Sequence, residues 1–283
     1  MLAESVHSFA DTSNQALLLY GGRAGSRGAT PRHQFGFGRE RYFWSFVVAM
    51  VLFSLGSLFA IYEGVEKIRH PHTIDNPAVA ITILVVGIFL EGGSLRMAIV
   101  ESRRVKRADQ TWWDFVRNSR SPELPVVLLE DWGAMIGLVV ALGAVTASVG
   151  LDAPVLDGVG TLSIGVLLGV IAVVLAIEMK SLLIGEAATL ADQEAIEAAI
   201  EGTDQVERLI HIRTQHLGPE DILVAAKVNF VEGLTTGALA DAIDATERRI
   251  RSAVPMVRLI YLEPDLYDSN HPGPDRDDPP VDH

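Results

Sequence analysis

The chain has no cysteine among its 283 residues. Disulfides and thiolate metal sites are therefore excluded, and any metal must be held by His, Asp, Glu and backbone oxygens. Such donors suit zinc, manganese, ferrous iron or cobalt better than cuprous copper. Charge is missing in places where a soluble protein would carry it. Residues 43–62 contain no charged side chain over twenty positions, enough for a helix to cross ~30 Å of hydrocarbon. Residues 132–151 are equally uncharged, and 153–177 hold only Asp157. Basic residues are scarce in the last third, where residues 190–283 carry 19 acidic side chains against 8 basic ones. Most of the net charge of −13 therefore lies there. That acidity argues against nucleic acid as a partner and against that region binding an anionic surface, and solubility is its simplest purpose.

What the chain does have is apolar sequence, 49% of its residues with a mean hydropathy of +0.28. It runs in blocks rather than alternating, and five spans of a lipid bilayer are predicted at about 3–21, 42–66, 77–101, 124–150 and 153–180. The first is not read as a secretory signal, because Glu4, His7 and Asp11 interrupt it and no basic leader precedes it. Arg23, Arg27, Arg32, Arg39 and Arg41 lie between the first two spans. Arg103, Arg104, Lys106, Arg107, Arg117 and Arg120 lie between the third and fourth. Excess positive charge marks cytoplasmic connections, which puts the C-terminal region inside and Met1 outside. One further helix before Met1 would return the start to the cytoplasm, so a six-helix protein lacking its first helix is expected; a true five-helix protein is the alternative.

Beyond residue 185 the pattern changes. LADQEAIEAAIEG reads as an amphipathic helix stopped by Gly202, VERLIHIRTQHLG and DILVAAKVNF as two strands turning at Leu217-Gly218-Pro219, TTGALADAIDATERRIRSAV as a helix capped by Thr235 or Thr236, and MVRLIYLEP as a third strand. Helix–strand–strand–helix–strand predicts a small α+β layer with helices on one face of a sheet. The predicted domains are a transmembrane domain, 1–188, a cytoplasmic domain, 189–265, and a Pro- and Asp-rich tail, 266–283, expected to be disordered.

His7 and Asp11 stand four residues apart and so share one face of the first helix. Ionisable groups at membrane depth are costly and mark polar pathways. An imidazole and a carboxylate at this spacing can share a divalent ion, while a His–Asp hydrogen bond pinning two helices is the plainer alternative. Glu130 and Asp131 add two carboxylates in the fourth span. Adjacent helical positions diverge by ~100°, so the two cannot face one centre equally. With His7 and Asp11 they supply the four donors zinc prefers, and because all four also bind protons, metal and H⁺ can compete. Glu91, before Gly92-Gly93 where backbones are expected to approach closely, is read as a packing or gating residue as readily as a binding one. Asp157 is read as a helix cap. His211 and His216 flank the first strand as surface residues, and Trp112-Trp113 as an interfacial anchor.

Taken together these segments resemble the cation diffusion facilitators. AESVHSFADTSNQALLLYG is similar to that family's second helix, FGFGRERYFWSF and IYEGVEKIRHP to the two ends of its third, VVLLEDWGAMIG to its fifth and LLIGEAA to the end of its sixth. HIRTQHLGPEDILVAAKVNF and IYLEPD resemble strands of its cytoplasmic domain. The resemblance spans about residues 3–265 and is nearest to a branch with HSxxDTxNQ and LLED motifs. It implies six helices with a ferredoxin-like cytoplasmic domain, a homodimer, and efflux of Zn²⁺ or of Mn²⁺, Fe²⁺ or Co²⁺ against protons across a bacterial plasma membrane. It assigns His7, Asp11 and Asp131 as metal ligands. Val127 stands where the family carries a further ligand, and Glu130 is the candidate replacement. His211, Ala226, Tyr261 and Glu263 fall at the family's cytoplasmic metal positions, a degraded set. Two other functions stay open: a membrane scaffold or metal sensor that has lost transport, and, more weakly, an enzyme using His7 and Asp11 without any convincing nucleophile.

Overall fold

The computed structural model describes residues 16–74, 76–107 and 110–267. The predicted first span, with His7 and Asp11, lies outside the described residues except for its last turns, which are helical over 16–25 (α1). The described chain forms two compact units, one of residues up to 28 with 39–183, the other of 29–38 with residues from 184 on.

In the first unit, α2 (Glu40–Val48) and α3 (Ser54–Arg69) are joined through a π-helical stretch, Ala49–Phe53, into one 30-residue rod. α4 (Pro77–Val105) starts with Pro77 in its first turn and closes with Arg103 and Arg104 in its last, matching the helix dipole. A short helix, α5 (Trp112–Asn118), precedes α6 (Glu123–Gly150) and α7 (Val155–Ile184). Among the described residues four helices are long and apolar enough to cross a membrane: Glu40–Arg69, Pro77–Val105, Glu123–Gly150 and Val155–Ile184. Their outer faces are apolar and bare, with Phe89 77% and Leu90 72% exposed. A chain surrounded by water would bury such a band; hydrocarbon accepts it.

Glycines set how closely the rods approach. A Cβ on Gly64 of α3 would lie 2.5 Å from the Leu162 backbone nitrogen of α7, one on Gly158 2.8 Å from that of Ile68, and one on Gly165 2.7 Å from that of Ile61. The seam is sealed by the Ser57 hydroxyl, which donates to the Gly165 carbonyl at 2.7 Å. Small residues matter here because lipid supplies no hydrophobic drive between helices, so association rests on close contact. The near approach expected at Gly92-Gly93 is absent: a Cβ on Gly93 would meet nothing within 4 Å, and one on Gly92 only the Met135 methyl at 3.5 Å.

The second unit has the expected element order. α8 (Leu190–Glu201) is capped by Thr189 and stopped at Gly202. β1 (Val206–Gly218) and β2 (Asp221–Phe230) form an antiparallel hairpin, α9 (Thr236–Ala253) is capped by Thr235, and β3 (Val257–Pro264) lies parallel to β2. The sheet order is β1-β2-β3. β2 alternates with period two: Ile222, Val224, Ala226 and Val228 are buried with Ile196, Ile200 and Ala242 of the two helices, while Leu223, Ala225 and Lys227 turn to the other face. Replacing Thr235 with Ala removes the acceptor of the Ala238 N–H and is expected to cost about 1 kcal/mol in thermal unfolding of this unit.

Residues 29–38 join this unit by lying against the β1–β2 turn. Gly36 takes a φ of 82°, and Gly38 approaches so near that a Cβ would sit 2.7 Å from the Leu217 carbonyl oxygen. Both glycines of the FGFG segment therefore have a backbone reason.

Past β3 the chain is held rather than loose through residue 267. Asp265 pairs with Lys227 at 2.8 Å, the Tyr267 N–H donates to the Asn229 side-chain oxygen at 3.2 Å, and the Arg208 guanidinium lies 4.0 Å from the Tyr267 ring centre. Residues 266 and 267 thus depart from the expected disordered tail; 268–283 lie outside the described residues. The Lys227 side-chain bond holds the Asp265 carboxyl below its ordinary 3.8, and the same bond raises Lys227 above 10.5. For Asp265, whose folded pKa is depressed, the contribution is present above pH 3.8 and lost as pH falls through the folded value. For Lys227 it is present below pH 10.5 and lost as pH rises through the folded value. Hydrogen exchange at Asp265 and Tyr267 is expected to stay slow, after correction for intrinsic rate, between these limits and to accelerate outside them.

Candidate metal site

Asp131 lies within α6 and is only 7% exposed, with its Oδ2 accepting a hydrogen bond from the Ser94 hydroxyl of α4 at 3.2 Å. The two helices meet along a seam in which Leu95 packs with Leu128, and Gly87 leaves room for Leu138. Glu130, one position earlier, turns away and is half-buried, as the ~100° step between neighbours requires. Glu91, one turn before Ser94 on α4, is also half-buried. The α4–α6 seam therefore carries a buried carboxylate with an oriented hydroxyl beside it.

The start of α6 is clamped. Arg41 Nε donates to Glu123 Oε1 at 2.5 Å, and the fully buried Tyr42 donates its hydroxyl to the Arg120 carbonyl at 3.2 Å. These bonds tie the beginnings of α2 and α6, so the carboxylate two turns further along is carried on a fixed helix.

His7 and Asp11 lie outside the described residues. Among the described residues no group of three or more His, Asp or Glu side chains gathers to hold a metal. Asp131 and Glu130 by themselves do not make such a group.

The other sequence candidates fall into different roles. Asp157 does not cap α7; it accepts an ion pair from Lys67 at 3.1 Å, and Lys67 also pairs with Glu63 at 3.2 Å and reaches Thr161. His216 is not a surface residue. It is 1% exposed, because its N–H donates to the Glu186 carbonyl at 2.8 Å and its Nδ1 lies 3.2 Å from the Gly218 carbonyl, folding the end of β1 inward. His211 faces Lys227, which in turn faces Glu263. Ala226 is buried on the opposite face, so these four positions do not converge. Lys227 also engages Glu263 at 3.5 Å, placing an ammonium where a metal would need anions. The residue that sequence reasoning missed is Ser94. Its signal is the three-residue step from Glu91, which sets both on one side of α4.

Long apolar helices carrying a buried carboxylate, followed by an α+β unit, define an integral membrane protein with an intramembrane polar site. The model of the cation efflux transmembrane domain matches residues 1–184, and the chain belongs to that cation efflux family. It is 31% identical over 231 residues to the mitochondrial proton-coupled zinc antiporter SLC30A9 of Xenopus laevis, covering 81% of this chain and 41% of that protein. It is 29% identical to metal tolerance protein C4 of Arabidopsis thaliana, covering 81% of this chain and 50% of the relative. The chain thus spans half or less of the length of these relatives. A variant of MamM CTD aligns at 20% identity and a TM-score of 0.26, covering 28% of this chain and 93% of that one.

Proposed function

We propose that this chain moves a divalent cation, Zn²⁺ foremost, out across its membrane in exchange for protons. The observation that carries the proposal is Asp131: a carboxylate buried among apolar helices, oriented by Ser94, in a chain of the cation efflux family. Ionisable groups are retained at such depth for pathways rather than for stability. In this reading His7, Asp11 and Asp131 hold the ion, with Glu130 as auxiliary ligand or proton acceptor. Each of these groups binds either metal or H⁺, so loading one releases the other. Two packings of the helices would expose the site to each side in turn. The names of the relatives, a proton-coupled zinc antiporter and a metal tolerance protein, support the cargo and the coupling. The membrane is taken to be a bacterial plasma membrane with the α+β unit inside, where it pairs with a second copy.

The test is metal-driven proton flux in sealed vesicles with the chain as it stands and with Asp11→Ala. Flux that needs both a metal gradient and Asp11 supports antiport. Flux unaffected by Asp11→Ala sinks the ligand assignment, and absence of flux in a folded, membrane-inserted protein favours a scaffold or sensor.

A further inference from the structure

The segment between α4 and α6 carries a tryptophan pair, Trp112-Trp113, among several basic side chains. α5 is short, yet a reciprocal cap holds it in place: the Thr111 hydroxyl accepts the Asp114 N–H at 3.0 Å while the Asp114 carboxylate accepts the Thr111 N–H at 3.2 Å. Those bonds to Thr111 hold the Asp114 carboxyl below its ordinary value. On one side, Phe115 and Val116 are buried with Leu95 and Leu128, fixing α5 to the ends of α4 and α6. On the other side, Trp112 and Trp113 stand out, 38% and 53% exposed. Close by in the chain stand Arg103 and Arg104 of the last turn of α4, Lys106, whose Nζ is 5.7 Å from the Trp112 ring centre, exposed Arg107, and Arg117, which pairs with Glu178 at 3.6 Å.

Residues 101–122 carry six basic side chains against Glu101, Asp109 and Asp114, a positive surface on a chain of net −13. Glu101 is engaged by Arg104 at 2.9 Å. A packed core face, an outward tryptophan pair and a cationic rim occur together where two candidate spans, α4 and α6, reach their ends. That is the level of lipid headgroups, where indole rings partition and where clustered Lys and Arg attract anionic lipid.

We propose that α5 with the end of α4 binds acidic phospholipid headgroups, the tryptophans seated at the interface and the arginines on the phosphates. Charge complementarity selects this occupant: a zwitterionic headgroup would engage the tryptophans but gain nothing from the cations. The acidic α+β unit of the same chain is the competing occupant, and the experiment separates the two. The proposal needs the membrane placement alone and stands whether or not the chain transports metal.

The test uses the whole chain in vesicles, reading quenching of tryptophan fluorescence by brominated phospholipid. Brominated phosphatidylglycerol is compared with brominated phosphatidylcholine at the same mole fraction. Half-maximal quenching is expected at a roughly threefold lower mole fraction of the acidic lipid, with the preference fading in 0.5 M salt as exposed charges are screened. It should vanish in Trp112→Phe/Trp113→Phe, which leaves Trp44 and Trp132 as reporters, and in Arg103→Gln/Arg104→Gln/Arg107→Gln. Equal quenching by both lipids overturns the proposal. So does a preference that survives salt or the arginine substitutions, and so do tryptophans shielded from both lipids, the result that coverage by the α+β unit would give. Should the arginine variant fail to fold, the salt dependence of the unaltered chain decides alone.

Discussion

Asp131→Asn is expected to abolish metal-driven proton flux, by roughly a hundredfold or more, since even residues that merely orient a metal ligand cost ten- to a hundredfold when replaced. The amide keeps the size of the side chain and an oxygen to accept from Ser94 at the observed 3.2 Å, so the α4–α6 seam has no reason to open. Two things are lost. The amide brings no negative charge to the ion, and it does not take up the proton that exchange requires. A carboxylate only 7% exposed among apolar helices is itself costly, so the variant is expected to unfold at the same temperature or higher. Raised stability with lost flux would mark a group kept for function; lost stability would make Asp131 a structural residue and remove it from the site. Glu130→Gln, at a half-buried position, is expected to cut flux less and to alter mainly its pH dependence. The opposite ranking would exchange the two roles. Under the proposed exchange, flux in the unaltered chain is expected to fall as pH drops, since protons would compete with metal for the same donors.

Gly165→Leu is expected to be the most damaging structural change outside the site. Its Cβ would stand 2.7 Å from the Ile61 backbone nitrogen, and backbone does not give way as a flexible side chain does. The substitution would also force Ser57 off the Gly165 carbonyl. Overpacking of this kind costs about 3 kcal/mol or more, and thermal unfolding in detergent or nanodiscs should show a large fall in midpoint. Gly93→Ala is the control: its new methyl meets open space, and stability is expected to hold or to rise by up to about 1 kcal/mol through helix propensity. Equal behaviour of the two variants would mean that α3 and α7 do not pack along the glycine seam.

Much of this molecule was legible in its sequence. Apolar runs located α2–α3, α4, α6 and α7 to within a few residues, because charge is costly in hydrocarbon and a span requires about twenty mostly apolar positions. Period-two alternation and the Leu217-Gly218-Pro219 turn located β1 and β2, and Thr235 and Gly202 marked helix ends, since capping and chain reversal are local chemistry. Glu130 and Asp131 were conspicuous because carboxylates are rare in such runs.

The failures are contacts between segments distant in the chain. Gly92-Gly93 looks like a packing motif as readily as Gly64 or Gly165 does, but only the partner helix decides which glycine faces a backbone. Asp157 has the position of a cap, and its pairing with Lys67 required α3 and α7 to be set side by side. His216 belongs to an outward-looking strand until Glu186 draws its backbone inward. The sequence by itself determined the class of the molecule, the lengths of its helices, the order of the α+β unit and the kinds of donor available to a metal, all properties of composition and local spacing. The tertiary structure alone decided that Asp131 rather than Glu130 is the more buried carboxylate, that Ser94 orients it, and that Lys227 fills the row beside His211. Those outcomes depend on which faces of separate elements meet, and such meetings are set by packing and charge pairing across the fold.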